Sequence, residues 1–330
     1  MRSEKSTNGR STSGLAPWGY RAGLAALSAV APGVAARAAE RMFMTPPRHA
    51  APPRERDALA AAEPLEVRAG RARLRAWRFG EGPAVLLVHG WGGRAGQMAS
   101  FVPVLRAAGV AAVALDGPAH GASSGRTASV PQFADAVAAA ADAVGARAAI
   151  AHSMGAGGVG LAVARGLRLD AAVFVGPPRS PWEFFDAFCR AVELSPSVGE
   201  RLVHRIERRV GVSRDELDLP AVGRGVHVPL LVVHDAEDRE IPHADGAAVA
   251  AGWRGARLVT TRGLGHRRIL RDDGVARAAV EFVAAHLPRC ATCGRLACSG
   301  EGERARCAAC DLAQELFDRA SRAQARAGYR

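Results

Sequence analysis

The sequence predicts an α/β protein: a mostly parallel sheet with helices on both faces, a helical insertion, and a small Cys-rich module at the C-terminus. Three observations predict it. Short apolar runs alternate with longer helical windows across residues 84–286. Those runs are apolar on both faces, as strands covered by helices on each side must be. The alternation then stops between Gly176 and Val226, and five of the six cysteines crowd between residues 290 and 310.

The elements follow in order. Residues 1–14 are polar and Gly/Ser-rich, and disorder is expected there. Ala22–Ala36 is an apolar stretch between Arg21 and Arg37, interrupted by Pro32-Gly33. Leu24, Leu27, Val34 and Met42 are spaced to share one stripe of an amphipathic helix. A basic start before a weakly apolar run is also the pattern of a signal peptide. No run reaches the roughly 18–20 residues that span a bilayer. Thr45-Pro46-Pro47-Arg48 and Ala51-Pro52-Pro53 form a Pro-rich connector that closes an N-terminal region, residues 1–56.

The body is expected over residues 57–287. Leu65–Arg68 and Ala72–Arg78 flank Ala69-Gly70-Arg71 as a hairpin. Strands are expected at Ala84–Val88, Val110–Leu115, Ala148–Ala151, Ala171–Val175, Pro229–His234 and Arg257–Thr260, with helices near 96–108, 132–144, 154–165, 243–251 and 274–286. The insertion, about 177–226, carries Trp182, Phe184, Phe185 and Phe188 and then an Arg-rich helix near Val198–Val210. It reads as a cap over a pocket, with the aromatics as cap packing and the arginines near 201–209 as a solvated face. A Cys-rich tail, residues 288–330, ends the chain.

Composition excludes some classes. With 48% hydrophobic and 23% charged residues the chain has material for a core. The net charge of +12 divides unevenly: residues 1–56 hold nine basic and three acidic side chains, residues 288–330 eight and five. The body between them is close to neutral, and Lys5 is the sole lysine. An Arg-rich coding bias explains such basicity without a nucleic-acid role, and no interleaved aromatics offer a stacking platform. Clustered cysteines in a chain of this length do not form a disulfide scaffold, and a reducing cytoplasmic setting is expected.

The chemistry is concentrated at strand ends. An apolar strand runs into Ala151-His152-Ser153-Met154-Gly155, and a Gly/Ala-rich helix follows at once. Upstream, Val85–Val88 leads into His89-Gly90-Trp91-Gly92-Gly93, and a later strand into Asp116-Gly117-Pro118-Ala119-His120-Gly121-Ala122-Ser123. Downstream lie His234-Asp235-Ala236-Glu237-Asp238 and Gly263-Leu264-Gly265-His266. In this order the segments resemble the α/β-hydrolase superfamily over about residues 60–287, with the G-x-S-x-G nucleophile elbow at Ser153. Ala151 replaces the first elbow glycine, and Ala119 the glycine usual before the loop histidine.

The resemblance implies a Ser-Asp-His triad of Ser153, Asp238 and His266, with Asp235 and then Glu237 as the other acids in the loop. It implies an oxyanion hole from the backbone N–H groups of Trp91 and Met154. Asp116 and His120 are expected to be structural, and His89 and His152 to be local hydrogen-bonding residues. His243 either ligates or simply starts a helix. A serine at the elbow excludes the dehalogenases and epoxide hydrolases of this fold, which use aspartate there; cap tyrosines are also absent, since Tyr20 and Tyr329 lie outside the body. Acyl transfer to water remains, on an ester, thioester, lactone or amide; the expected protein is a serine esterase or thioesterase acting on a small to medium acyl group, with no cofactor for catalysis. The rival reading is a non-catalytic member of the fold that senses a ligand in its pocket and binds a partner protein through its tail.

In that tail, Cys290-Ala291-Thr292-Cys293 and Cys307-Ala308-Ala309-Cys310 are two C-x-x-C pairs separated by thirteen residues. They resemble a zinc ribbon or knuckle, which implies a structural zinc ion held by Cys290, Cys293, Cys307 and Cys310. Cys298 is a fifth thiol able to replace one of the four, and a redox dithiol pair or unliganded thiols are the other readings of the two pairs.

Overall fold

The computed structural model describes residues 18–298, 300 and 305–327; the polar stretch 1–14 lies outside them. Its sheet contains β1 (Glu63–Ala69), β2 (Ala72–Phe79), β3 (Ala84–Val88), β4 (Ala111–Leu115), β5 (Ala146–His152), β6 (Ala171–Val175), β7 (Leu230–Asp235) and β8 (Arg257–Thr261). They are hydrogen-bonded in the order β1-β2-β4-β3-β5-β6-β7-β8. β1 pairs antiparallel with β2 and β2 with β4, and every later pairing is parallel. Gly70, at φ +55°, makes the β1–β2 turn that a residue with a Cβ would strain.

The described helices are α1 (Trp18–Val30), α2 (Pro32–Met44), α3 (Pro53–Ala60), α4 (Val102–Ala107), α5 (Val130–Val144), α6 (Met154–Ala164), α7 (Trp182–Ala191), α8 (Pro196–Val210), α9 (Leu219–Gly223), α10 (His243–Gly252), α11 (Gly265–Arg268), α12 (Asp273–His286) and α13 (Ala308–Ala327). Their ends follow local chemistry. The Ser129 hydroxyl accepts from the Gln132 N–H at the start of α5, and Gly145 ends it in the left-handed region. The Asp272 carboxylate caps α12 by accepting from the Val275 N–H.

The alternation of the central strands divides the core. Leu86, Val88, Ala149, Ala151, Phe174 and Val232 face one buried layer, and Val85, Leu87, Ile150, Val173, Val175 and Val233 face the other. Alanine strands allow close helix approach, and a few large side chains fill the remaining space: Trp253 meets Phe174 edge-to-face at 5.5 Å and donates from Nε1 to the Val228 carbonyl. β8, at the sheet edge, is largely exposed, with Leu258 facing solvent.

Two expectations are corrected. The stripe of Leu24, Leu27, Val34 and Met42 does not form, because Pro32 opens a new helix and resets the phase. Leu24 is buried while Val34 is exposed; the buried face of α2 is Ala35, Ala36, Ala39, Glu40 and Met44. The arginines of α8 are not all solvated either. Arg205 and Arg209 both donate to the buried carboxylate of Glu40, at 2.8 and 3.0 Å, and tie the insertion to α2. Phe43 adds apolar contact, with ring centroids 5.5 Å from Phe185 and 5.3 Å from Phe188.

Glu40→Ala is therefore expected to lower the stability of the folded chain by about 1–3 kcal/mol, the loss of charge-assisted hydrogen bonds whose cationic partners can turn to water. Urea denaturation followed by circular dichroism measures it.

Candidate active site

Ser153 stands where β5 turns into α6. Its backbone is left-handed, at φ +53° and ψ −125°, one of three described non-glycine residues with positive φ. Such a conformation persists only where the surroundings over-determine it. Here they do: a Cβ on Gly155 would lie 2.5 Å from the His89 carbonyl oxygen, and one on Gly90 would lie 2.8 Å from Ser153 Cβ. The strand before the turn tolerates Ala151 because that position is ordinary strand, fully buried. The Ser153 hydroxyl makes no hydrogen bond to a described residue, and the residue is 8% exposed.

Asp238 and His266 meet across the ends of β7 and β8. His266 Nδ1 lies 2.7 Å from Asp238 Oδ2, and the Asp238 side chain is 1% exposed. The other carboxylate oxygen accepts from the N–H groups of Glu240 and Ile241 at 2.8 and 2.9 Å. Burial alone would raise this carboxyl; the hydrogen bonds from His234, His266 and the backbone outweigh it and hold Asp238 far below the usual carboxylate range. His266 Nε2 has no partner among the described residues and is not sealed from solvent. Gly176 leaves room for the pair, since a Cβ there would sit 3.2 Å from His266 Nδ1. Asp235 is engaged elsewhere, accepting from Thr261 Oγ1, Leu264 N and Glu237 N, so it braces the loops. His234 belongs to none of the roles that the motifs imply. It is fully buried, with Nε2 3.2 Å from the Ile241 carbonyl and 3.5 Å from Asp238 Oδ2.

The loop after β3 is locked by two imidazoles. His89 Nδ1 donates to the Gly90 carbonyl at 2.7 Å, and its Nε2 accepts from Gly117 N–H at 2.9 Å. His120 Nδ1 donates to the Pro118 carbonyl, and its Nε2 accepts from Gly92 N–H at 2.9 Å. Each ring thus ties the β3 loop to the β4 loop as one defined neutral tautomer. Burial, the dominant cause, lowers both histidines to about 4. Asp116 accepts from Ala95 N–H and Ala122 N–H, the structural task expected of it. His152 holds the His266 backbone, its Nε2 3.0 Å from that carbonyl. His243 starts α10 and bonds Thr260 Oγ1. No described acceptor takes the N–H of Trp91 or of Met154.

A pH dependence follows. Unfolded histidine protonates near pH 6.5, whereas His89 and His120 in the folded chain protonate near 4. Between those values the unfolded state binds more protons, so stability is expected to fall as pH drops from about 6.5 to 4. Urea denaturation across that range measures the slope, and His120→Gln should flatten it.

The described cysteines of the tail converge. The sulfurs of Cys290, Cys293, Cys307 and Cys310 all lie within 4.8 Å of one another, and Cys293 and Cys307 are 3.5 Å apart. Burial opposes ionisation of Cys290, but the N–H groups of Cys293, Cys307 and Thr292 bring its thiol down to about 6. The neighbouring sulfurs push Cys310 up to about 12. Cys298 stays outside the cluster. No described helix is long and apolar enough to cross a membrane.

Comparison with known proteins bears on the fold and the family. An esterase of Pyrococcus furiosus superposes with a TM-score of 0.57 at 16% identity, over 73% of this chain and 99% of the other. A membrane phospholipase A described as a bacterial virulence factor superposes at 0.53 and 18% identity, over 80% and 95%. A serine hydrolase involved in carbazole degradation does so at 0.51 and 19%, over 68% and 100%. At these identities the likeness is one of fold. No curated protein matches at the sequence level. The sequence profile of the alpha/beta hydrolase family matches residues 85–278, and the chain belongs to that family.

Proposed function

We propose that the protein is a serine hydrolase that cleaves an ester or thioester of a small to medium acyl substrate. The observation that carries this reading is a serine held in a strained turn beside two N–H groups without acceptors, with a buried His–Asp pair at 2.7 Å on neighbouring loops. Ser153 Oγ attacks the acyl carbon while His266 Nε2 takes its proton, and Asp238 fixes the tautomer and supports the imidazolium. The N–H groups of Trp91 and Met154 receive the oxyanion. The proton passes to the leaving alcohol or thiol, and water then releases the acid from the acyl-enzyme by the same route. A pure binding module needs none of these groups in combination.

In the tail we propose a structural zinc ion. Four sulfurs around zinc at about 2.3 Å stand about 3.8 Å apart in a tetrahedron, close to the spacing of the cluster. One divalent ion resolves the conflict among thiols that cannot all ionise unaided, and four ligands leave no open position for catalysis. The ion supplies folding free energy to a module with little core. Its contact with the body supports a role apart from chemistry: Arg147, which pairs with Asp170, also donates to the Gly300 carbonyl. Arg147 is the second residue of β5 and Ser153 follows the strand's end, roughly 20 Å along the strand at about 3.3 Å per residue. Reduced thiols and a bound zinc fit the cytoplasm, where we place the protein.

A fluorophosphonate is expected to add one adduct at Ser153, mapped by peptide mass spectrometry, and Ser153→Ala should abolish labelling. Asp238→Asn should cut turnover of an activated ester about 10³–10⁴-fold with folding intact, as loss of the triad carboxylate does; a greater effect of Asp235→Asn would reassign the acid.

Purified protein is expected to carry about one zinc per chain, as a four-ligand site dictates. Cys290→Ser with Cys293→Ser should remove it, Cys298→Ser should not, and removal of residues 289–330 should leave ester hydrolysis largely unchanged. Metal analysis and a p-nitrophenyl ester assay measure these outcomes.

A further inference from the structure

The Pro-rich segment before the body reads in sequence as a connector, but its side chains are fastened to the candidate oxyanion loop. Met44 first anchors it, its carbonyl accepting from the Ala128 N–H at 2.8 Å. Pro47 then lies over Gly92, at φ +67°, so closely that a Cβ on Gly92 would be 3.1 Å from the proline ring. Arg48 donates to three carbonyls of the β4 loop: Ala119 at 2.9 Å, and Ser123 and Gly125 at 3.1 Å. This is the loop whose His120 accepts from Gly92 N–H. Finally, Glu55 on α3 pairs with Arg94, the residue that ends the β3 loop; the two side chains are 6% and 14% exposed. A Cβ on Gly96 would stand 2.8 Å from Glu55 Cβ, so α3 also abuts the backbone beyond Arg94.

Trp91, whose N–H has no described acceptor, sits in the middle of these attachments. Gly90 on one side rests on Ser153; Gly92 on the other is held by His120 and covered by Pro47. A buried ion pair is weak support for stability, because desolvating both charges offsets their attraction. What the pair does supply is a fixed position for Arg94, and through it for the loop.

We propose that residues 45–56 form a strap that sets the oxyanion loop His89–Arg94, and that Glu55, acting through Arg94, is a positioning residue for acyl transfer. The proposal rests on the serine-hydrolase reading given above. The strap works by geometry rather than by charge: it keeps the Trp91 N–H aimed at the place where negative charge develops. A displacement on the order of 1 Å there costs about 100-fold in rate.

The experiment uses the full chain. Active sites are first counted by fluorophosphonate titration of a separate aliquot, so that rates are expressed per titratable site. Wild-type protein that takes no label would sink the serine-hydrolase reading itself. With labelling intact, Glu55→Gln is expected to lower kcat for a p-nitrophenyl ester about 10- to 100-fold with KM within about twofold, because the lost interaction acts only in the transition state. Affinity for an alkyl boronic acid, whose serine adduct is a tetrahedral anion, should fall by a similar factor. Arg94→Gln should behave alike, and the double variant should be no worse than either single one. A merely structural pair would lower the midpoint of thermal unfolding and the count of active sites but leave kcat per site and boronate affinity unchanged, and that result would overturn the proposal. A rise in kcat for Glu55→Gln would overturn it too, since an unpaired Arg94 cation would then be favouring the oxyanion by charge. Should Glu55→Gln fail to fold, Pro47→Gly is read in its place, with the same loss of kcat expected and unchanged kcat per site overturning the strap.

Discussion

The close approach of α6 to β3 governs the rest of the site. For β5 to turn into a helix within one residue, Ser153 must adopt a left-handed backbone, which a serine accepts at a cost of order 1–3 kcal/mol. The helix must then start directly against the end of β3, where the His89 carbonyl leaves no space for any side chain at position 155. From this packing follow the proximity of Gly90 to Ser153 and the orientation of the first turn of α6. The strain is repaid by the sheet, whose parallel strands on either side of β5 are among the most completely buried segments of the chain.

Around that fixed turn the chain places loops that would otherwise be independent. Asp238 and His266 stand on the loops after β7 and β8, neighbours in the sheet, so the register of the two strands brings the carboxylate to the imidazole. The β3 and β4 loops are paired through His89 and His120. The N-terminal region, α2 above all, links this assembly to the insertion through Glu40 and Phe43. Segments distant in sequence therefore share one mechanical frame.

Much of this was legible in the residues. The apolar runs named the strands, and small residues around Ser153 named the turn, because both are local: periodicity reports burial, and glycine reports a backbone with no room. Asp238 and Asp235 differ in sequence by their place in the loop, and in the structure they bond different neighbours. What could not be read was pairing at long range. Nothing near Glu40 announces Arg205 and Arg209, which are 165 and 169 residues away. Nothing near Glu55 announces Arg94. A charge on a helix looks the same in sequence whether it meets water or a partner. His234 is illegible in sequence for a related reason, since an interior histidine near a strand end resembles core, and only the fold sets it beside the carboxylate of Asp238. Helix phase failed at Pro32 because a periodicity count runs through a break that the backbone does not.

The two loop imidazoles carry one more consequence. Each is an uncharged strut, joined at both nitrogens to backbone amide groups rather than to ions. Dissolved salt screens charges and leaves buried neutral hydrogen bonds almost untouched. The brace between the β3 and β4 loops therefore keeps its shape from dilute buffer to brine, and any sensitivity of the site to ionic strength must enter through the charged side chains around it or through the charge of the molecule that binds.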